Sequence, residues 1–238
     1  MIKIYGKNCV YEALVSKAKI DTIYLTDNVV KKDKDILKLI KENNYRYEVV
    51  SKEKMNNDFS SQAQGYGAIR YDYDTYDLSY LNNLTTNKGR VLILDGIQDP
   101  HNFGAILRSV DAFGFDLVIL PNNRSVKITG VVAHVSTGAI EHTKIMYVDS
   151  LLQAINILKK RGYWILGTDA SGDTLTSNID KSLSLAVIIG SEGFGMSKTL
   201  VNASDYLIKI PMVGHVNSLN ASVSAGIVLH DLIKDFSE

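Results

Sequence analysis

Three short segments of this 238-residue chain hold the residues whose types and spacing suit chemistry on a small ligand. They are residues 95–108 (DGIQDPHNFGAILR), residues 190–195 (GSEGFG) and residues 217–224 (NSLNASVS). Each sets small or polar residues after an apolar run or at the start of a helical pattern. In α/β folds, ligands bind at the carboxyl ends of strands and the amino ends of helices. In the first segment Asn102 reads as a helix cap or as a group facing a polar or anionic substrate. Arg108 reads as a solvated side chain or as a guanidinium fork suited to phosphate. In the second, three glycines in six residues let a backbone approach a ligand closely. Glu192 there is solvated, caps the next helix, or holds a catalytic partner. In the third, Ser218, Asn220, Ser222 and Ser224 exceed the single cap a helix needs, which leaves close helix packing or hydrogen bonds to a ligand for the rest.

Other chemistries are poorly served. His101, His134, His142, His215 and His230 make no pair at metal-ligand spacing, with one another or with cysteine, so no metal is expected. The run Gly190-Ser-Glu-Gly misses the G-x-S-x-G spacing of a hydrolase elbow by one residue. It is also not the G-x-G-x-x-G fingerprint of dinucleotide binding, which disfavours a nucleotide-dependent oxidoreductase. Cys9, the single cysteine, cannot form an internal disulfide and has no obvious base beside it; it reads as a small semi-buried residue.

The elements that position these segments follow from periodicity. Strands are expected over residues 20–25, 45–50 and 67–71, and a helix over 31–43 with Ile36, Leu37, Leu39 and Ile40 on its apolar stripe. Residues 72–88 turn polar and acidic, as a linker would. Beyond them, strands over 90–94, 117–120, 143–148, 163–167, 185–189 and 206–210 alternate with helices over 103–113, 128–134, 151–160 and 216–236. That alternation predicts an α/β fold with a mostly parallel sheet covered by helices on both faces, preceded by a small N-terminal α/β domain. The expected division is a domain over residues 1–75, a linker over 76–88 and a catalytic domain over 89–238.

Composition fits a soluble globular protein: 45% hydrophobic, 22% charged and three prolines. No apolar run approaches the roughly 20 residues that span a bilayer, and the first residues carry no signal-peptide pattern. A cytoplasmic protein with no membrane partner is expected. Zero net charge argues mildly against a nucleic-acid partner. Its distribution tempers that, because residues 1–70 carry 13 basic against 9 acidic side chains.

In family order and at family-like separations, three runs resemble the motifs of the SpoU (TrmH-like) RNA ribose 2′-O-methyltransferases of the SPOUT superfamily. They are Asn102-Phe-Gly-Ala-Ile-Leu-Arg108, Ile189-Gly-Ser-Glu-Gly-Phe-Gly195 and Ser218-Leu-Asn-Ala-Ser222. The N-terminal part resembles the small substrate-binding domain of the RlmB-like subgroup through residues 6–14 (GKNCVYEAL) and 63–67 (AQGYG). Where that subgroup often has His-Gln-Gly, this chain has Ala63-Gln64-Gly65. The resemblance implies S-adenosyl-L-methionine as methyl donor and an RNA ribose 2′-hydroxyl as acceptor, most directly a guanosine of large-subunit (23S) rRNA. It implies tRNA as the second substrate choice and a catalytically silent RNA-binding assembly factor as the alternative class. It further implies a C-terminal trefoil knot and a homodimer through the catalytic domain, with residues of both subunits completing a site. By family position Gly190, Ile210 and Leu219 contact the cofactor, and catalytic roles fall on Asn102, Arg108, Glu192, Ser218 and Asn220.

Overall fold

The computed structural model describes residues 1–216 and 218–234. Asn217, in the third segment, and residues 235–236 of the expected last helix lie outside them. In chain order the elements are β1 (Ile2–Tyr5), α1 (Lys7–Val15), β2 (Ile20–Thr26), α2 (Asp27–Lys32), α3 (Lys34–Glu42), β3 (Tyr47–Val50), α4 (Lys52–Asp58) and β4 (Tyr66–Arg70). They continue as β5 (Arg90–Asp95), α5 (Pro100–Ala112), β6 (Leu117–Pro121), α6 (Gly130–Val135), β7 (Ile145–Val148), α7 (Leu151–Lys160), β8 (Trp164–Thr168) and β9 (Thr174–Leu175). The last four are β10 (Leu185–Gly190), α8 (Lys198–Ala203), β11 (Tyr206–Lys209) and α9 (Ala221–Ile233).

Two compact units result. The smaller comprises Met1–Tyr73 and Lys127–His142, the larger Asp74–Val126 and Thr143–Glu238. The split thus differs from the linear one expected from sequence, since residues 127–142 leave the larger unit to join the N-terminal sheet. Their periodicity could not reveal this, because it shows only that a face is apolar, not what covers it. The expected linker also carries structure: a 3-10 helix at Leu78–Asn83, with Leu81 and Leu84 buried in the core of the larger unit. The expected helix over 31–43 is two helices, because Asp33 leaves the helical backbone and caps α3 through the Ile36 N–H at 3.2 Å.

In the smaller unit the sheet order is β1-β4-β2-β3, with Ile4, Ile23, Leu25 and Ala68 buried and α1 packed on β1, β4 and α3. Residues 127–142 are fastened to it by specific contacts. A Cβ on Gly130 would lie 2.0 Å from the Lys3 carbonyl oxygen, so only glycine permits that approach. The His134 ring stacks on Tyr5 with centroids 4.6 Å apart. Arg70 Nη1 donates to Glu141 Oε1 at 2.7 Å, and both side chains are almost fully buried. The Arg70 guanidinium also lies 3.4 Å from the Tyr73 ring centroid. Burial raises the Glu141 carboxyl above the usual range, opposed by Arg70. Burial, then Glu141, pushes the Cys9 thiol up to about 12, so it stays protonated and is no nucleophile.

The larger unit holds a seven-stranded parallel sheet in the order β7-β6-β5-β10-β8-β11-β9. Its central strands read as unbroken apolar runs because both faces are covered: Val91–Leu94 and Ala186–Ile188 are all fully buried. α7 and α8 cover one face. On the other, α5 packs on α9, where Ala221, Ala225 and Gly226 allow close approach and Ser109 sits opposite Gly226.

The buried pair makes a prediction for the smaller unit. Arg70→Met leaves Glu141 buried without its counter-charge and should destabilise the full chain by about 3–5 kcal/mol at neutral pH, read by urea unfolding. Removing Arg70 leaves burial to raise the carboxyl further, so protonation relieves the penalty and the loss should shrink as pH falls through that raised value. The double variant Arg70→Met/Glu141→Leu should recover most of the stability. A loss that is flat in pH would contradict this.

Candidate active site

β5 and β10 pair in parallel with an uninterrupted register, from Arg90 opposite Leu185 to Asp95 opposite Gly190. Their carboxyl ends therefore coincide, and the first two chemical segments begin side by side. β8 pairs with the other side of β10, and β11 with β8, so four strands deliver their loops to one sheet edge. A cavity of about 450 Å³ opens there. It is lined by Thr168 at the end of β8 and Asp169 after it, by the loop Gly190–Gly195, by Lys209, Ile210 and Met212 around the end of β11, and by Ser218, Leu219, Ala221 and Ser224.

The glycine loop has a defined shape. A Cβ on Gly190 would lie 2.3 Å from the Gly195 carbonyl carbon, so the strand can end there only as glycine. Ser191 and Gly195 exchange two backbone hydrogen bonds, at 3.1 and 3.0 Å, closing a tight turn. Gly193 and Gly195 have φ of 81° and 64°, the left-handed region open to glycine. Beyond the turn, the Ser197 N–H donates to the Asp95 carboxylate at 2.8 Å, tying this loop to the end of β5.

Glu192, within that turn, joins all three segments. Its Oε1 accepts hydrogen bonds from Asn220 Nδ2 at 2.5 Å, from the Ala221 backbone N–H at 3.2 Å and from Asn102 Nδ2 at 3.3 Å. Asn220 Nδ2 also donates to Asn102 Oδ1 at 2.9 Å. The direction of the Asn220 amide is set by its other end, where Oδ1 accepts the Ser222 and Val223 N–H groups and caps α9. An acceptor-only carboxylate thus meets three donors, two side-chain amides and one backbone N–H, and its charge lies at the favourable positive end of α9.

Asn102 is not the cap of α5. Asp99 is: its carboxylate accepts the His101 and Asn102 N–H groups at 3.0 and 3.3 Å, with Pro100 in the first turn. The Asn102 amide is thereby free to reach Glu192. The Asp-Pro pair was a legible signal for this cap. Asn102, Glu192 and Asn220 come together as one hydrogen-bonded cluster, while Gly190, Glu192, Ile210, Ser218 and Leu219 line the cavity. Arg108 does neither; it lies exposed further along α5. Thr168, Asp169, Lys209 and Met212 belong to the cavity without any sequence motif, because strand order alone brings them there. Among the described residues, no cluster of three His, Cys, Asp or Glu side chains could hold a metal ion.

Two family models match the chain: the SpoU rRNA Methylase family over residues 89–230, and RNA 2′-O ribose methyltransferase substrate binding over residues 3–66. A Staphylococcus saprophyticus protein named for the TrmH family of tRNA/rRNA methyltransferases is 43% identical over 98% of this chain and 95% of its own. Among solved structures, the SpoU methyltransferase AviRb of Streptomyces viridochromogenes, in complex with AdoMet, is 20% identical with a TM-score of 0.84, covering 98% of this chain and 90% of its own. The TrmH/SpoU tRNA modifying enzyme of A. aeolicus is 28% identical with a TM-score of 0.57, covering 66% of this chain and 81% of its own.

The cluster predicts a split between two substitutions. Glu192→Ala should speed backbone amide exchange in both the 190–195 turn and residues 218–223, because the shared acceptor is gone. Glu192→Gln keeps one oxygen acceptor and should leave exchange near that of the unaltered chain. Faster exchange confined to the 190–195 turn would contradict the shared role.

Proposed function

Because the chain belongs to the SpoU rRNA methylase family and is an RNA methyltransferase of that kind, we propose that it methylates a ribose 2′-hydroxyl, most directly a guanosine of 23S rRNA, in the cytoplasm. The observation that carries this reading is the meeting of the three family segments at Glu192 beside the cavity. Its methyl donor is S-adenosyl-L-methionine. Three features of the cavity fit that donor. Its volume of about 450 Å³ lies within the range typical of cofactor sites. Gly190 leaves its backbone open to close approach. Asp169 and Lys209 provide charge for a zwitterionic, hydroxyl-bearing molecule. Gly190, Ile210 and Leu219 would hold it, largely through backbone groups. In this family fold the segments leading to and from that cavity would pass through a trefoil knot.

Bound donor supplies an electrophilic sulfonium methyl; the protein must prepare the weakly acidic hydroxyl that attacks it. An arginine side chain keeps its proton in proteins, so Arg108 serves better as a stabiliser of the developing alkoxide, or a clamp on the adjacent phosphate, than as a base. Asn102, held by Glu192 and Asn220, would orient the hydroxyl, and Ser218 lines the cavity that would hold the donor. The distance of Arg108 from this cluster along α5 favours a homodimer in which the partner supplies it. Val223 and Ile227, apolar, exposed and one turn apart on α9, are a face such a dimer would cover. The N-terminal unit, with its substrate-binding family match, would engage the RNA. A tRNA acceptor is the second choice, because both tRNA and rRNA appear in the names of relatives.

S-adenosylhomocysteine should raise the Tm of the protein, and NAD should not; the reverse would point to a redox enzyme. Labelled methyl transferred to transcribed 23S rRNA should appear, after nuclease digestion, in a 2′-O-methylnucleoside. Label in a base would refute the reading. Arg108→Ala should lower kcat by about 100-fold or more with S-adenosylhomocysteine affinity nearly unchanged. Near-full activity in Arg108→Lys would refute the guanidinium role, since a point charge cannot reproduce the fork.

A further inference from the structure

At the tip of the glycine turn, Phe194 is 93% exposed, an unusual place for an aromatic ring in a polar loop. It lies two residues from Glu192, and both border the same cavity. The turn that carries it is fixed: Ser191 and Gly195 close it by paired hydrogen bonds, Gly193 and Gly195 set its left-handed bends, and Glu192 is anchored to Asn102 and Asn220. The Phe194 ring has no ring contact among the described residues that would account for its placement. A rigid turn presenting a bare aromatic face next to polar groups is the arrangement that binds an unstacked nucleobase, because every base has a π-face.

We propose that Phe194 is a stacking platform for a nucleobase of the RNA strand whose ribose is delivered to the Asn102–Glu192–Asn220 cluster. This rests on the reading of the site as an RNA methyltransferase and adds to it a residue that holds the acceptor strand. A single-stranded acceptor suits it, since a base inside a duplex has no free face to offer. The glycines on either side serve the same end: they let the backbone bend sharply enough to put the ring at the tip while Glu192 points back into the cluster. Stacking asks for a flat ring, so tryptophan should substitute and leucine should not.

The test measures binding of the full chain, with S-adenosylhomocysteine present, to a short single-stranded oligoadenylate and to the abasic ribose-phosphate oligomer of the same length. Phe194→Ala and Phe194→Leu should weaken oligoadenylate binding by about 5- to 100-fold and leave abasic binding unchanged. Phe194→Trp should bind within about 2-fold of the unaltered chain when each variant is saturated with S-adenosylhomocysteine. The proposal is overturned if Phe194→Ala weakens both oligomers equally or neither, or if Phe194→Leu binds like the unaltered chain. It is also overturned if the unaltered chain binds the two oligomers alike. A fall in molar mass by light scattering in Phe194→Ala would overturn it in favour of a contact with a second copy. Failure of the methyltransferase reading would show separately, as absence of methyl transfer to transcribed rRNA and tRNA whatever the oligomer binding.

Discussion

One carboxylate oxygen, Glu192 Oε1, ties together the three segments at the sheet edge of the larger unit. Three donors from two other segments converge on it, 90 residues away along the chain in one case and 28 or 29 in the others. That oxygen accepts and never donates, so it takes all three without a competing proton. The fold makes the meeting possible by running β5 and β10 in parallel to a common end, so the turn bearing Glu192 starts next to the loop that leads into α5. Remove the register and the carboxylate has nothing to gather.

The cluster is polar and close to solvent, so its hydrogen bonds add little to global stability; a net value near 1 kcal/mol per bond is typical. Stability comes instead from the apolar strands beneath, fully buried from Val91 to Leu94 and from Ala186 to Ile188. This separation suits an active site. The sheet can hold its register while the residues at its edge are chosen for chemistry, and a substitution there can cost activity without unfolding the chain. In the smaller unit the logic is different: the Arg70–Glu141 pair is buried, so its partners are structural and each depends on the other.

Much of this was legible in the sequence. The central strands announced themselves as continuous apolar runs, and the alternation with helices implied a parallel sheet, which the seven-stranded order bears out. The family followed from the order and spacing of three motifs. Singly, none of them separated a cap from a ligand contact: Asn220 is in fact a helix cap and a member of the cluster at once. What the sequence could not show was long-range pairing. Nothing local marks residues 127–142 as part of the N-terminal unit, because Gly130 and Glu141 acquire their meaning only against Lys3 and Arg70. Thr168 and Asp169 likewise reach the cavity through strand order, which no short motif encodes. The cap at Asp99 is legible in the Asp-Pro pair, since Pro100 opens α5 and Asp99 stands just before it.

The central claim is that Asn102 works through Glu192 as one unit, and a double-mutant cycle on kcat/KM for methyl transfer tests it most directly. If the pair acts together, Asn102→Ala/Glu192→Ala should be scarcely slower than the worse single variant, giving a coupling of about 1 kcal/mol or more. Losses that simply multiply would show two independent residues and contradict the account.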